Sequence, residues 1–319
     1  MKWQASAPSN IALIKYMGKL GTQGNLSSNS SLSYTLNHLQ TFVEIEPHHE
    51  PQDSWLPLEL PNQSNPLISK NGQTRFLKHF AFLKNEFGLK GNYLIRSNNN
   101  FPSDCGLASS ASSFAALTIG TYKVAREQNP KLDLTLSQLA NLSRQGSGSS
   151  CRSLFAPWGL WDSNGAREID LPFGRLHHHV VVVSDQIKSV SSSEAHKRIN
   201  SSLLSATRKD RAERRLEQLI ASLKNEDWKT SYELIWADFW DMHALFETSH
   251  PPFGYMSSGS ITALRIAQET WNKTGDGPWI TMDAGPNVHL LYRHDQKEIA
   301  NAIEKELNKL FRVIANYVV

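Results

Sequence analysis

Four stretches of the chain show hydrophobic patterns that are typical of β-strands. Apolar and polar residues alternate in TFVEIEPHH (residues 41–49) and NYLIRSN (92–98), and this period of two predicts strands with one buried face. The aliphatic run in HHHVVVVSD (177–185) predicts a buried strand, and NVHLLYR (287–293) predicts a further strand. Strands therefore occur in both halves of the chain.

Three consecutive histidines begin the third of these strands. A strand would place His178 on one face and both His177 and His179 on the other, so the three side chains do not converge on one point. We interpret them as the polar start of the strand, and a metal site is the less favoured alternative.

Helices are predicted between and after the strands. Residues 135–144 read as a helix, because Thr135 followed by Gln138 is the pattern of a capping box. Residues 192–271 are mostly helical in pattern. A closing helix is predicted from a single apolar stripe, which consists of Ile299, Ile303, Leu307, Leu310 and Ile314. The mixture gives an α+β fold class. The break at LPFGR near Gly174 divides the chain into domains at 1–174 and 175–319.

Composition narrows the classes of function. The 319 residues suit about two domains, and 39% hydrophobic residues with nine Trp suit a sizeable core. The net charge is only +3 and no block of like charge is present, so neither nucleic acid nor a membrane surface is an expected partner. The start, MKWQASAPSN, lacks the apolar segment of a signal peptide, and the longest aliphatic run, Val180–Val183, is too short to span a bilayer.

The two cysteines, Cys105 and Cys151, lack metal-type spacing. This usage favours a reduced cytoplasmic enzyme in which both thiols are small buried or loop residues.

The stretch PSDCGLASSASSFAALTIG (102–120) carries the strongest chemical indication. It is a loop of small and hydroxyl residues that becomes a helix, and a helix start offers unpaired N–H groups and partial positive charge to a phosphate. Hydroxyls there can also hold a hydrated Mg²⁺, and the candidates are Ser109 and Ser110. A serine-rich cap without a ligand is the alternative, and a Walker loop is disfavoured because no Lys-Ser/Thr ending follows. The predicted nucleotide-binding residues are Pro102, Gly106, Leu107, Ala108, Ser109, Ser110, Ala111 and Ser112.

Four motifs in order resemble those of the mevalonate diphosphate decarboxylase family, within the GHMP kinase superfamily. FPSDCGLASSASSFAAL (101–117) is similar to its phosphate-binding motif and SAPSNIALIKYMGK (6–19) to its amino-terminal motif. RQGSGSSCRSLF (144–155) resembles its substrate-binding segment and MDAGPNVHLL (282–291) its catalytic aspartate segment. NLSSNSSLS (25–33) and DQIKSVSSS (185–193) agree more loosely.

The resemblance implies a two-domain GHMP kinase fold, with a ribosomal protein S5 domain 2-like amino-terminal domain and a ferredoxin-like carboxy-terminal domain. It implies a reaction in which ATP, with Mg²⁺, phosphorylates the tertiary 3-hydroxyl of mevalonate 5-diphosphate. Phosphate and CO₂ then leave, and isopentenyl diphosphate remains. A cytoplasmic homodimer is expected, with mevalonate 5-diphosphate and ATP as its small-molecule partners.

Residue roles also follow from the resemblance. Asp283 would engage and deprotonate the 3-hydroxyl, Lys15 would be a cation beside it, and Arg152 would contact the substrate carboxylate. The expected substrate-binding residues are Tyr16, Lys19, Ser149, Ser150, Arg152, Ser153, Ser191 and Ser192. Without the resemblance, DAGPN would read as an ordinary turn with a capping aspartate, and Lys15 as an exposed lysine.

The chain departs from the family pattern at the predicted pocket. Met17 stands where the family has Trp, SDC (103–105) replaces TAA, Ser113 replaces a smaller residue, and Ala195 and His196 replace a Gly-Met pair. One hypothesis is that His196 binds the diphosphate as a cation, so that substrate affinity rises as the pH falls from about 8 to 6. The other is that His196 lies on a solvent face.

Three rival functions stay open at this point. They are a mevalonate-type 3-kinase that stops after phosphorylation, a decarboxylase of the monophosphate, and a catalytically silent nucleotide-binding regulator. Retention of Lys15, Arg152 and Asp283 favours full decarboxylation over all three.

Overall fold

The computed structural model describes residues 1–21, 24–61, 69–101, 109–186 and 188–318. Its strands are β1 (Trp3–Ile14), β2 (Ser31–His48), β3 (Ser54–Pro57), β4 (Asn92–Asn99), β5 (Trp158–Asp162), β6 (Gly165–Glu168), β7 (His177–Val182), β8 (Trp279–Met282), β9 (Val288–Tyr292) and β10 (Arg312–Asn316). Its α-helices are α1 (Lys70–Phe87), α2 (Ser109–Gln128), α3 (Leu136–Gly146), α4 (Ser192–Arg198), α5 (Arg208–Lys224), α6 (Trp228–Glu247), α7 (Ser258–Thr274) and α8 (Lys297–Leu307). Short 3₁₀ helices span Gly148–Leu154, Ile199–Ser201, Leu203–Thr207 and His294–Gln296.

The strands form two sheets. The first has the order β3-β4-β2-β5-β6 with β1 also paired to β2, and all its pairs are antiparallel except β3 with β4. The second is antiparallel, in the order β10-β7-β9-β8. The chain passes from one sheet to the other within residues 169–176, and the domain boundary near Gly174 stays a prediction.

Two apolar clusters pack the sheets and helices against one another. One packs the first sheet against α1 and α2, and includes Val43, Phe80 and Leu117. The larger cluster joins Leu13 and Trp158 of the first sheet to residues of the second sheet and its helices. Because this core is shared, β1 ends against the second sheet, and its last residues lie where the two halves meet.

The sequence predictions of strands at 41–49, 92–98, 177–185 and 287–293 are confirmed by β2, β4, β7 and β9. The capping box of α3 is also confirmed, since the Thr135 hydroxyl accepts from the Gln138 N–H and the Gln138 side chain accepts from the Thr135 N–H.

The predicted closing helix is wrong in its last third. Helix α8 ends at Leu307, Leu310 is 60% exposed, and Ile314 lies in β10, where it pairs with Val180 of β7. The i, i+4 spacing of Leu310 and Ile314 continues the helical stripe by coincidence. The β-branched pair Val313 and Ile314 favours a strand, and the free edge of β7 provides the partner.

The three histidines at the start of β7 are all buried. His178 contacts His38 and His289 at 3.1 Å each, whereas the main-chain N–H of Val318 donates to His177 on the other face. The described residues contain no group of three or more His, Cys, Asp or Glu side chains that could hold a metal. Within the same residues, no helix is long and apolar enough to cross a membrane. Cys151 is buried with a free thiol, and Cys105 lies outside the described residues.

Candidate active site

A cavity lies where the end of β1 meets the starts of α2 and α4 and the turn after β8. Its charged lining among the described residues is five cations and a single carboxylate, Asp283. The cations are Lys15, Lys19, Arg75, Arg152 and Lys188. This excess of positive charge suits a ligand with several negative charges.

Lys15 and Asp283 form an ion pair at the base of the cavity. The Lys15 Nζ donates to Asp283 Oδ1 at 2.8 Å, and the Lys15 side chain is 1% exposed against 25% for Asp283. Burial lowers the pKa of Lys15, although the Asp283 charge opposes that effect. Burial favours protonation of Asp283, but Lys15, His289 and Arg152 outweigh it and hold its pKa below the ordinary value. The Asp283 carboxylate is therefore ionised at neutral pH.

Arg152 is a buried guanidinium that has no ion-pair partner among the described residues. Its Nη1 donates to the Ser31 hydroxyl at 2.7 Å, and its side chain lies over the Trp161 ring. Burial lowers the pKa of Arg152, but a guanidinium stays charged at neutral pH. An unpaired buried cation is costly, so this position is suited to an anionic group from a ligand.

Tyr16, Lys19 and His196 form one wall of the cavity. The Tyr16 ring packs on the imidazole of His196 with ring centres 4.4 Å apart, and the Lys19 Nζ donates to Asn25 Oδ1 at 2.7 Å. Gly148 lies against the same tyrosine, since a Cβ at this position would lie 2.5 Å from the ring. Only glycine therefore fits beside Tyr16 in this arrangement.

The hypothesis that His196 lies on a solvent face is corrected by its surroundings. The side chain is buried rather than on a solvent face, and the Gly18 N–H donates to its Nδ1 at 3.0 Å. That bond requires Nδ1 to be unprotonated, so the proton lies on Nε2. Burial, with a smaller contribution from Lys19, lowers the pKa of His196 to about 3. The ring is therefore neutral in this structure, which disfavours its binding the diphosphate as a cation. Of the other departures, Met17 and Ala195 are buried in one apolar cluster.

Hydroxyl groups from two segments face one another across the cavity. Ser109 and Ser110 lie at the start of α2, while Ser147 and Ser149 lie at the start of the 3₁₀ helix, and the Ser147 hydroxyl approaches that of Ser110 at 3.5 Å. Such oxygens can ligate a hard cation together with nucleotide phosphates, so the donor set fits Mg²⁺.

The predicted residues thus divide into three groups. Those that line the cavity are Lys15, Tyr16, Lys19, Ser109, Ser110, Ser149, Arg152, Ser191, Ser192 and Asp283. Those that lie away from it, buried in the interior, are Ala111, Ser112, Ser150 and Ser153. Pro102, Gly106, Leu107 and Ala108 lie outside the described residues.

Ser150 and Ser153, the two of these residues that lie beside Arg152 in the 3₁₀ helix, have internal contacts. The Ser150 hydroxyl donates to the Ser147 carbonyl at 2.7 Å, and the Ser153 hydroxyl accepts from Asn10 at 2.8 Å. Their side chains thereby fix the segment that presents Arg152.

Sequence reasoning missed two cations of the cavity, Lys188 and Arg75. Lys188 donates to the Ala284 carbonyl at 2.8 Å and to the Ser192 hydroxyl at 2.9 Å, so it links the turn after Asp283 to the start of α4. It lies within the loosely matching DQIKSVSSS stretch, which was the available indication. Arg75 comes from α1, where one basic residue among several on an amphipathic helix gives no such indication.

Two family models match the chain. The diphosphomevalonate decarboxylase-like N-terminal domain matches residues 7–170, and the mevalonate 5-diphosphate decarboxylase C-terminal domain matches residues 179–317. The chain belongs to the diphosphomevalonate decarboxylase family. A diphosphomevalonate decarboxylase of Ganoderma lucidum is 32% identical over 94% of this chain and 81% of its own length.

Solved structures of the family have the same fold. A mevalonate diphosphate decarboxylase from Legionella pneumophila superposes with a TM-score of 0.92 at 46% identity, over 98% of this chain and 100% of that one. A structure of MDDEF in complex with MVAPP, AMPPCP and magnesium superposes with a TM-score of 0.84 at 28% identity, over 100% and 99% of the two chains. The α+β, two-domain GHMP kinase fold and the enzyme class implied by the sequence motifs are confirmed.

Proposed function

We propose that this cavity carries out the ATP-dependent decarboxylation of mevalonate 5-diphosphate to isopentenyl diphosphate, ADP, phosphate and CO₂. The observation that carries the proposal is the Lys15–Asp283 ion pair at the base of a cavity lined by five cations and one carboxylate. A carboxylate and a diphosphate bring a charge of about −4, which such a lining complements. The family's MVAPP complex supports the same substrate.

The first step is transfer of the ATP γ-phosphoryl group to the 3-hydroxyl oxygen. Asp283 accepts a hydrogen bond from this hydroxyl and takes its proton as the O–P bond forms. A carboxylate of low pKa is a weak base, so orientation of the hydroxyl and stabilisation of charge make up much of its effect. Lys15 keeps Asp283 ionised before transfer and offers a positive charge beside the reacting oxygen.

The second step is loss of phosphate and CO₂ from the phosphorylated intermediate. The C–O bond breaks with its electron pair going to the leaving phosphate. The electron pair of the bond to the carboxylate carbon then forms the new double bond, and CO₂ departs. Arg152 holds the carboxylate through its buried guanidinium and fixes that bond in position. Lys19, Tyr16, Ser191 and Ser192 are the proposed diphosphate contacts.

The nucleotide phosphates would lie at the start of α2, where Ser109 and Ser110 supply hydroxyls at the positive end of a helix. Mg²⁺, held by the same hydroxyls and the phosphates, neutralises phosphate charge when bound. The AMPPCP and magnesium complex of MDDEF supports the use of ATP and Mg²⁺. The cytoplasmic homodimer remains part of the proposal from the resemblance.

One coupled assay tests the proposal against its rivals. ADP and CO₂ are measured in parallel with mevalonate, its 5-phosphate and its 5-diphosphate as substrates, each with MgATP. We expect equal amounts of ADP and CO₂ with the diphosphate. ADP without CO₂ would indicate a kinase, preference for the 5-phosphate would indicate a monophosphate decarboxylase, and no ADP with any substrate would indicate a silent regulator.

A further inference from the structure

Helix α6 contacts the main chain of both members of the ion pair. Asp238 and His243 lie five residues apart on this helix, and both are buried. Asp238 contacts the main chain of Lys15, and His243 contacts the main chain of Asp283. Lys15 and Asp283 come from opposite ends of the sequence, so one rigid helix links two segments that the chain itself does not hold together.

At the first contact, the peptide groups of Lys15 have left the sheet because β1 ends at Ile14. The Lys15 N–H donates to Asp238 Oδ2 at 2.7 Å, and its carbonyl accepts from Arg208 Nη2 at 3.2 Å and from Asn29 Nδ2 at 2.9 Å. Arg208 in turn pairs with Asp238 at 2.7 Å, with side chains 3% and 0% exposed. A buried main-chain group without a partner is costly, and here a buried ion pair satisfies both groups of Lys15.

At the second contact, His243 Nε2 lies 3.2 Å from the Asp283 carbonyl oxygen. A carbonyl oxygen only accepts, so Nε2 carries the proton and donates. Burial, followed by the charge of Lys15, lowers the pKa of His243 to about 3, so the ring is neutral. The rings of Phe239, Phe246 and Tyr255 surround the imidazole and fix its orientation.

We propose that Asp238, Arg208 and His243 form a brace that sets the separation of Lys15 and Asp283. A buried ion pair is in general weak evidence for stability, because removal from water offsets most of the attraction. The further hydrogen bonds point to positioning instead, since each of the three residues makes one that ends on the main chain of Lys15 or Asp283. The three are positioning residues, and their part in turnover rests on the proposed roles of Lys15 and Asp283.

Three variants test the brace. His243→Leu removes the donor to Asp283 and suits the aromatic surroundings, whereas His243→Gln restores an N–H donor of similar reach. Asp238→Glu keeps the negative charge beside Arg208, which also pairs with Asp241, and moves the carboxylate by one methylene. The matched control is Asp227→Ala, which removes the exposed N-cap of the same helix and touches neither Lys15 nor Asp283. The control therefore reports loss of helix stability alone.

The first readout is the Nζ–Oδ1 separation of Lys15 and Asp283 in crystal structures of the four variants. We expect it to exceed about 4 Å, the limit of an ion pair, in His243→Leu and Asp238→Glu, and to stay near 2.8 Å in His243→Gln and Asp227→Ala. A pair that stays at its wild-type separation in both His243→Leu and Asp238→Glu would overturn the brace. This readout needs no turnover, so it decides the brace even if the wild type proves inactive and the proposed function fails.

The second readout is whether each variant loses turnover (kcat), ligand affinity or both. A misplacement of about 1 Å at the reacting groups costs up to about 10²-fold in rate, so kcat should fall by about 10- to 100-fold in His243→Leu and Asp238→Glu. The Kd values of MgATP and of mevalonate 5-diphosphate should stay within about threefold, and His243→Gln should recover most of kcat. Two results would assign the three residues a purely structural role. One is a fall in kcat that Asp227→Ala reproduces, and the other is a fall in kcat accompanied by equal losses of affinity for both ligands.

Discussion

Arg152 is the residue whose surroundings most directly indicate a ligand group. Its guanidinium is buried and its hydrogen bonds go to neutral side chains, Ser31 and Asn10. We expect Arg152→Lys to weaken binding of mevalonate 5-diphosphate by tenfold or more, because an ammonium cannot make the paired hydrogen bonds that a guanidinium makes to a carboxylate. Binding of MgATP should not change. Titration calorimetry with each ligand measures both.

The matched control is Arg167→Lys, which alters an arginine in a partly exposed pair with Asp162. It should change neither affinity. Equal losses for substrate and nucleotide in Arg152→Lys would instead assign Arg152 a structural role.

His196 allows a prediction about pH at the same scale. Its ring is neutral because burial lowers its pKa to about 3, so it does not change charge between pH 8 and 6. Affinity for the diphosphate should follow the titration of the substrate alone over this range, and the curves of wild type and His196→Gln should be parallel. If the wild-type affinity rises more steeply than that of His196→Gln as the pH falls, the bound substrate raises the pKa of His196 enough for the ring to become protonated.

At the scale of elements, the start of α2 is the proposed phosphate site. Replacing Ser109 and Ser110 together with Ala should weaken MgATP binding by roughly 1–3 kcal/mol, the value of hydrogen bonds to a charged group. Ser137→Ala is a suitable control, because Ser137 lies in the first turn of α3, away from this cavity. Calorimetry that finds the MgATP affinity of the double variant unchanged would argue against a nucleotide site there.

The elements also show what the sequence could and could not predict. Period-two stretches and the capping box at Thr135 depend on neighbours in sequence, and β2, β4 and α3 appear where these patterns placed them. The helix predicted through Ile314 failed because the edge of β7, which is far away in sequence, offered that segment a partner. Local periodicity contains no information about such a partner.

The same distinction applies to the site. Lys15, Arg152 and Asp283 lie in motifs that resemble a known family, and the structure brings them to one cavity. Asp238 and His243 are two of several polar residues on α6, and only the packing of this helix against β1 and the turn after β8 shows their contacts. Tertiary contacts of this kind leave no spacing pattern to recognise.

At the scale of the whole molecule, buried histidines make the fold sensitive to acid. In six of them the pKa is lowered mainly by burial. It falls to about 4 for His38 and His179, and to about 3 for His79, His196 and His243. The pKa of His178 is lowered well below the ordinary value. In the unfolded chain these groups bind protons near pH 6.5. The unfolded state therefore binds more protons below that pH, and stability falls as the pH falls from about 6.5 towards 4.

Each such histidine contributes up to about 1.4 kcal/mol per pH unit, so six together give an upper limit of about 8 kcal/mol per pH unit. That is comparable to the stability of a whole domain. We expect the urea midpoint to be flat between pH 7 and 8 and to fall steeply below pH 6. His79→Gln, which replaces a buried ring that does not itself line the cavity, should make this fall less steep. A midpoint that is the same at pH 7 and 5 would show that these rings are protonated in the folded state.

The rate of CO₂ release by Asp283→Asn, measured beside its affinities for MgATP and mevalonate 5-diphosphate, tests the chemistry of the cavity most directly. Asparagine keeps the size of the side chain but cannot take the hydroxyl proton, and it removes the negative charge that Lys15 faces at 2.8 Å. General-base and electrostatic effects together are worth about 10³-fold or more. We predict that both ligands still bind, with Kd values within about threefold of wild type, while CO₂ release falls by at least that factor. Release within tenfold of the wild-type rate would contradict the catalytic role of Asp283.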